Sequence, residues 1–232
     1  MAGEFLVSLL PMLMFPLIIG LVIVLAVVGH KQTKKRRAAL RAWAQAHGWA
    51  YTDNAPGLGL DLRGGPFGRG HSRSSTEAVW GTYQGWQGAS WRYTYKITSG
   101  SGKSRRTRTY HHHVVSLQLP VPLPYIELSA ENFLSRTFGN DVEFEDAAFN
   151  DAWHVRGDSP RATSDVIHPR MMERLMQPDL QGANLLYEGG RIFLWRRGMP
   201  DPAAIDAALR LLHELIELVP GFVWDNARGH GG

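Results

Sequence analysis

The chain has 232 residues, no cysteine and a formal net charge of +4. The lack of cysteine excludes disulfides, thiolate catalysis and zinc sites built from cysteine. Six positive charges lie in residues 31–41 and Glu4 precedes them, so residues 42–232 carry one net negative charge. The basic character therefore belongs to one short segment, and nucleic acid is disfavoured as a partner.

Residues 5–29 form an apolar run of 25 residues without a charged side chain. A bilayer core of about 30 Å needs about 20 helical residues, so this run predicts a transmembrane helix. A cleaved signal peptide is the competing interpretation. The start of the run lacks Lys and Arg, however, and a basic segment follows in place of a cleavage site, so a permanent anchor is favoured.

The basic segment after this run predicts an orientation. Because Lys and Arg remain on the cytoplasmic side, we expect residues 1–4 outside the cell and the later domain in the cytoplasm. The expected location is the plasma membrane, in single-pass form, and the expected first partner is the lipid bilayer. The candidate membrane-surface residues are Lys31, Lys34, Lys35, Arg36, Arg37 and Arg41.

The remaining chain predicts one α+β domain behind this transmembrane helix. Residues 30–48 indicate a basic juxtamembrane helix that ends at Gly48. Residues 49–224 indicate a domain with a mostly antiparallel sheet and packed helices. Residues 225–232 are expected to be a disordered tail.

Alternating apolar and polar residues indicate the main strands of the sheet. They lie at residues 78–83, 88–98 and 107–119, with a later hairpin over 184–196. The strongest helical pattern, at residues 201–219, has an apolar stripe suited to packing on the sheet. A further helix is expected over residues 130–138.

A basic and aromatic segment covers the first predicted hairpin. Residues 78–126 contain no Asp or Glu, which leaves the rest of the domain acidic. This separation of charge favours a protein partner or self-association. Contact with anionic lipid or with nucleic acid is an alternative. The simplest interpretation is a solvated hairpin tip that binds nothing. The candidate contact residues are Arg92, Lys96, Lys103, Arg105, Arg106 and Arg108.

Three consecutive histidines lie on the third strand. His111 and His113 point to the same face and could share a metal ion, as in a metal-dependent hydrolase. The spacing of the sequence identifies no third ligand, and an ordinary edge strand explains the same residues. No cofactor is therefore expected.

The segment over residues 143–196 contains a recognisable pattern. Glu145 and Asp146 precede two aromatic residues four positions apart, Phe149 and Trp153, and then a strand, a PRMMERL helix and a strand pair. This pattern resembles the hallmark segment of a bacterial domain-of-unknown-function family that is often membrane-anchored. Residues 78–97 resemble the first hairpin of that family more weakly. The resemblance implies no activity.

Together these observations predict a membrane-tethered interaction or scaffold module that is not an enzyme. The charge polarity and the lack of any complete catalytic motif support this prediction. A metal-dependent hydrolase and an anionic-lipid-binding module are the two alternatives.

Overall fold

The structure is a computed structural model that describes residues 2–130 and 141–229, with side chains from residue 19 onward. The helices are α1 (Ala2–Ala46), α2 (Ala147–Ala152), α3 (Pro160–Val166), α4 (Pro169–Leu175), α5 (Pro202–Leu218) and α6 (Gly221–Gly229). The strands are β1 (Ala50–Asn54), β2 (His71–Tyr83), β3 (Trp86–Ser99), β4 (Arg106–Gln118), β5 (Ile126–Ser129), β6 (His154–Gly157), β7 (Asn184–Glu188) and β8 (Arg191–Arg197). The helix expected over residues 130–138 falls almost entirely outside the described residues.

Within the described residues, eight strands form one antiparallel sheet in the order β1-β2-β3-β4-β8-β7-β5-β6. The long β3–β4 hairpin lies at its centre, with register from Gly88↔Leu117 to Ser99↔Arg106. Strand β4 then pairs with β8, which comes about 75 residues later and brings the two halves of the domain together. The β7–β8 turn uses Gly189 and Gly190 at φ +59° and +71°, as a tight hairpin turn requires.

The two faces of the sheet are covered differently. On the helix face, α1 and α5 bury Leu40 and Leu209 against strand residues such as Leu117. On the loop face, Phe67 from the β1–β2 connection packs against aromatic residues of the central strands. Its ring lies 5.0 Å from that of Tyr93 and 5.9 Å from that of Trp195.

Helix α1 is fixed to the sheet by a buried carboxylate. Glu77, fully buried at an irregular point of β2 with φ +52°, accepts two hydrogen bonds from Arg36, at 2.9 and 3.1 Å. Arg37 donates a third at 3.1 Å, and Arg92 from β3 lies 3.8 Å away. Burial raises the pKa of Glu77, but the arginines more than offset this and hold its pKa below the usual value.

The transmembrane helix in the expected fold class is a wrong prediction. Among the helices of the described residues, none is both long and apolar enough to cross a bilayer. The location at the plasma membrane is a separate matter and stays a prediction.

The expected disordered tail is also corrected, because residues 225–229 belong to helix α6. Val223 is buried, and Trp224 and Ala227 pack partly against the core of the helix face. Asp225 accepts a hydrogen bond from Arg228 at 2.7 Å, one helical turn along. These contacts order the segment, although its polar composition suggested disorder. Residues 230–232 lie outside the described part of the chain.

The buried ion cluster leads to a stability prediction. We expect Glu77→Gln to lower the free energy of unfolding of the full-length chain by about 3–5 kcal/mol, because three arginines lose their buried counter-charge. Urea denaturation at neutral pH measures the change. The matched control is Asp225→Asn, which breaks an exposed pair and should cost at most about 1 kcal/mol.

The pH dependence provides a check on this prediction. A carboxylate whose pKa is lowered by folding stabilises the fold above its unfolded pKa, here 4.5, and loses this contribution as pH falls through the folded value. The difference between wild type and Glu77→Gln should therefore shrink below pH 4.5. A difference that is small at neutral pH or constant with pH would contradict the assignment.

Candidate functional site

The exposed cations of the β3–β4 hairpin form the first candidate site. The hairpin ends in a short 3₁₀ turn at Gly102–Ser104. Gly100 has φ +80°, and a Cβ there would lie 2.6 Å from the Ser104 carbonyl oxygen, so the tight turn requires glycine. None of the hairpin cations forms an ion pair with another described residue. They are Lys96, Lys103, Arg105, Arg106 and Arg108, and all are exposed.

Arg92 does not belong to this exposed group, although sequence analysis places it there. The alternation of β3 directs Arg92 to the helix face, opposite Trp91 and Tyr93. Its Nε atom donates a hydrogen bond to Thr76 at 2.9 Å, and its charge faces Glu77. Burial lowers the pKa of Arg92. Arg92 therefore serves the internal ion cluster.

The basic segment of α1 is divided in the same way. Lys31, Lys34 and Lys35 are exposed. Arg36 and Arg37 bind Glu77, whereas Arg37 and Arg41 bind Asp53 on β1. The lysines remain available to a partner, whereas the three arginines attach the helix to the sheet.

Helix α1 runs antiparallel to β3, which brings the exposed cations of both elements to one end of the domain. Trp49, just after α1, donates a hydrogen bond to the Thr82 carbonyl at 3.1 Å and lies beside Gly88, near the start of β3. Arg36 precedes Trp49 on α1 and Arg92 follows Gly88 on β3, and both arginines lie beside the carboxylate of Glu77. The earlier part of α1 and the hairpin tip thus extend beyond the same end of the sheet.

We call these exposed cations the basic end. It consists of Lys31, Lys34, Lys35, Lys96, Lys103, Arg105, Arg106 and Arg108. The same end carries large apolar side chains of α1 that are about half exposed, from Ile19 at 44% to Leu25 at 62%. These apolar side chains directly precede the exposed lysines on α1, so an apolar and a cationic surface follow one another along the helix.

The histidines of β4 are engaged in hydrogen bonds rather than grouped around a metal position. His111 Nδ1 lies 3.0 Å from the Thr94 hydroxyl, and His113 Nε2 lies 2.8 Å from the Ser90 hydroxyl. Across the described ranges, no group of three or more His, Asp or Glu residues is arranged to hold a metal ion. The sequence expectation of a shared ion at His111 and His113 receives no support from this geometry.

A second candidate site is a cavity on the loop face that sequence analysis missed. Its volume is about 240 Å³, and it lies at the sheet end from which the hairpin tip extends. Its charged and titratable lining residues come from five separate parts of the chain. They are Arg69, His112, Glu127, His154, Arg156 and Arg197.

Aromatic stacking builds one wall of the cavity. The ring of His112 stacks on Tyr95 at 5.6 Å between centroids, and Tyr95 stacks on Tyr110 at 5.2 Å. The guanidinium carbon of Arg197 lies 5.2 Å from the centroid of the Tyr110 ring. This arrangement holds the His112 ring in a fixed orientation toward the cavity.

The two carboxylates at the cavity both have polar partners. Glu127 is already satisfied, because it accepts hydrogen bonds from the Gly65 amide at 2.5 Å and from the Tyr125 hydroxyl at 2.7 Å. Asp141 lies 3.3 Å from Arg156.

His112 is the unusual member of this lining. Both of its ring nitrogens are buried, and neither has a hydrogen bond partner among the described residues. Burial, together with the charges of Arg197 and Arg69, lowers the pKa of His112 to about 4. The ring of His112 is therefore kept neutral in the cavity wall, and its two nitrogens have no contact with solvent.

Comparison with known proteins gives one informative likeness. No family model matches the chain, and no curated protein matches it. Among solved structures, the fold is similar to the crystal structure of the mycobacterial trehalose monomycolate transport factor A, TtfA, with a TM-score of 0.58 and 15% sequence identity. The match covers 79% of this chain and 96% of that one. At this identity the likeness concerns the fold alone. The resemblance to the domain-of-unknown-function family stays a prediction.

The burial of His113 leads to a pH prediction. Burial lowers its pKa from 6.5 to about 4, so between these values the unfolded chain binds a proton that the folded chain does not. Acidification through this window should cost the wild-type fold about 3 kcal/mol at this residue. We expect His113→Gln to reduce the pH dependence of the unfolding free energy between pH 6.5 and 4, as measured by urea denaturation.

The control for this experiment is His71→Gln, at an exposed position on β2. It should leave the pH dependence as in wild type. An unchanged slope in His113→Gln would show that His113 is not the buried neutral group described here.

Proposed function

We propose that this protein is a non-catalytic interaction module that binds anionic lipid surfaces through the basic end. The observation that carries the proposal is that eight exposed cations and a run of exposed apolar side chains belong to elements that extend from the same end of the domain. A lipid surface offers both an anionic layer and an apolar layer beneath it. In this proposal the protein is located at the cell membrane because it binds to the membrane surface.

The charges of the basic end support this function by their number and by their lack of competing partners. The five hairpin cations form no ion pair with any described residue, so binding would not first have to break internal pairs. Each Lys or Arg near an anionic surface contributes about 1 kcal/mol. Because the hairpin cations and the lysines of α1 extend from the same end, they can contact one surface together.

The apolar residues of α1 favour a lipid surface over an acidic protein surface. Charge alone fits both partners, but the side chains of residues 19–28 include eight large apolar groups that are 44–62% exposed. Burying a fully exposed side chain of this kind is worth about 1.5–3 kcal/mol. The name of the structural neighbour, a transport factor for trehalose monomycolate, is compatible with lipid association but does not carry the proposal.

An acidic protein partner is the second candidate function. The negative net charge of the rest of the domain also leaves self-association open, with the basic end of one copy against the acidic surface of another. Both alternatives need the hairpin charges but do not need lipid, so a lipid-binding experiment separates them from the proposal.

The test is flotation of the full-length chain with vesicles of phosphatidylcholine alone and with added phosphatidylglycerol. We expect stronger binding to the anionic vesicles. The triple variant Arg105→Gln, Arg106→Gln, Arg108→Gln should bind them roughly 100-fold more weakly, because three contributions of about 1 kcal/mol are lost.

The matched control carries the same change in net charge elsewhere. Arg161→Gln, Arg170→Gln, Arg210→Gln removes three exposed arginines from α3, α4 and α5 on the helix face. This variant should bind anionic vesicles nearly as well as wild type. Equal losses in the two triple variants, or equal wild-type binding to both kinds of vesicle, would rule out the proposed lipid site.

A further inference from the structure

A groove on the loop face lies at the end of the sheet away from the basic end. Its volume is about 710 Å³, within the roughly 300–1,000 Å³ of small-molecule sites. Its floor lies near the start of β3 and the end of β4, whereas the hairpin tip joins the end of β3 to the start of β4. The groove is therefore separate from the basic end and from the cavity beside His112.

The shape of the groove follows from one row of residues across four strands. Trp80 on β2 lies opposite Ala89 on β3, and Ala89 lies opposite Ser116 on β4. Ser116 in turn lies opposite Phe193 on β8. Two small side chains thus lie between two aromatic ones, which makes a trough with a low floor and high walls.

The lining of this groove is mainly apolar, and part of it is accessible to solvent. Trp80 is 47% exposed, although β2 is an inner strand of the sheet. Leu58 and Leu62 of the β1–β2 connection also line the groove, together with Trp91. Accessible apolar surface inside a groove is typical of a ligand site.

Arg191 is the cation of this groove, and it has no counter-charge. It lies two residues before Phe193, so its side chain is on the same face of β8. Among the described residues, its guanidinium has one hydrogen bond partner, the Ser116 hydroxyl at 3.4 Å, and no ion-pair partner. Burial lowers the pKa of Arg191, and no carboxylate offsets this effect. A partly buried cation of this kind is costly, and a bound anion would provide the missing charge.

The two carboxylates that line the groove do not neutralise Arg191. Glu188 lies opposite it in the β7–β8 register, but accepts hydrogen bonds from the amide and the Nε atom of Arg63, both at 2.8 Å. Asp61 is exposed and forms no ion pair with Arg191. The cation therefore remains available to a ligand that enters the groove.

We propose that this groove binds a free fatty acid or a similar linear carboxylate, with its carboxylate on Arg191 and its chain between Trp80 and Phe193. Arginine binds carboxylates through paired hydrogen bonds, and the apolar walls would remove the chain from water. The inference does not rest on the proposed lipid surface, because the groove lies at the other end of the sheet and shares no residue with the basic end.

The width of the groove favours a single acyl chain over a protein partner. Neighbouring strands lie about 4.8 Å apart, so about 14 Å separates the backbones of β2 and β8. The side chains of Trp80 and Phe193 narrow this space further. A helix of another protein is about 10–12 Å across, whereas an extended acyl chain is much thinner.

The test is calorimetric titration of the full-length chain with octanoate, hexanoate and octanol. We expect octanoate to bind with a dissociation constant of about 1 mM or lower. Hexanoate should bind roughly 10-fold more weakly, because it buries two fewer methylene groups. Octanol has the same chain length without the charge and should also bind more weakly than octanoate.

Arg191→Gln separates the charge from the apolar contacts. Its octanoate affinity should fall roughly 10-fold or more, because a hydrogen bond to a charged group is lost. Its octanol affinity should stay close to that of wild type, whereas a purely structural role of Arg191 would change both affinities alike. The control is Arg161→Gln, which removes an exposed arginine from α3 and should bind both ligands as wild type.

Trp80→Ala removes one wall of the groove. It should weaken octanoate and octanol alike, each roughly 10-fold, because apolar contact is lost. The matched control is Phe222→Ala on α6, which removes an aromatic side chain that is 52% exposed and should bind as wild type. Non-specific binding to the apolar residues of α1 would not respond to Trp80→Ala.

The proposal is overturned if octanoate shows no binding up to about 10 mM. It is equally overturned if Arg191→Gln weakens octanoate and octanol to the same extent, or if Trp80→Ala binds both as wild type. Self-association that depends on Trp80, without octanoate binding, would instead assign the groove to a second copy of this chain. The hairpin triple variant should bind octanoate as wild type, so failure of the lipid proposal and failure of this one are distinguishable.

Discussion

The buried carboxylate of Glu77 is the interaction on which the position of helix α1 depends. It lies at a break in the regular register of β2, where the backbone turns to φ +52° and directs the side chain toward the helix. Two arginines of α1 and one of β3 surround it. Burying one carboxylate is unfavourable, so the cluster holds only if all its members stay together, and this ties the helix to the central hairpin.

This attachment determines the functional surfaces. Because α1 is held antiparallel to β3, its exposed lysines and apolar side chains extend from the same end as the hairpin tip. The cavity lies at this end also, on the opposite face of the sheet from α1. One end of the domain thus combines exposed cations, an exposed apolar segment of α1 and a cavity. The other face of the central strands, where His113 and Ser90 are buried, is structural.

Local patterns in the sequence are sufficient to predict the central hairpin, the Gly189–Gly190 turn and helix α5. They do not predict contacts between residues that are far apart in the chain. Arg92 falls in a basic segment, yet its partner Glu77 lies on the neighbouring strand. The cavity joins residues as far apart as Arg69 and Arg197, and the sequence had no spacing to show this. The apolar N-terminal segment predicts a membrane span by its length and its flanking charges, but no helix among the described residues is both long and apolar enough to form one.

The central claim is that Glu77 holds α1 so that its lysines and the hairpin tip lie at one end of the domain. Since the chain has no cysteine, spin labels at introduced cysteines would be unique. The distance between two spin labels should be shorter for the pair Lys31→Cys and Arg106→Cys than for the pair Lys31→Cys and Gln84→Cys. Gln84 lies in the β2–β3 turn, at the other end of β3 from the hairpin tip. The first distribution should be narrow and should broaden when Glu77→Gln is added. A reversed order of the two distances, or a distribution unaffected by Glu77→Gln, would contradict the account.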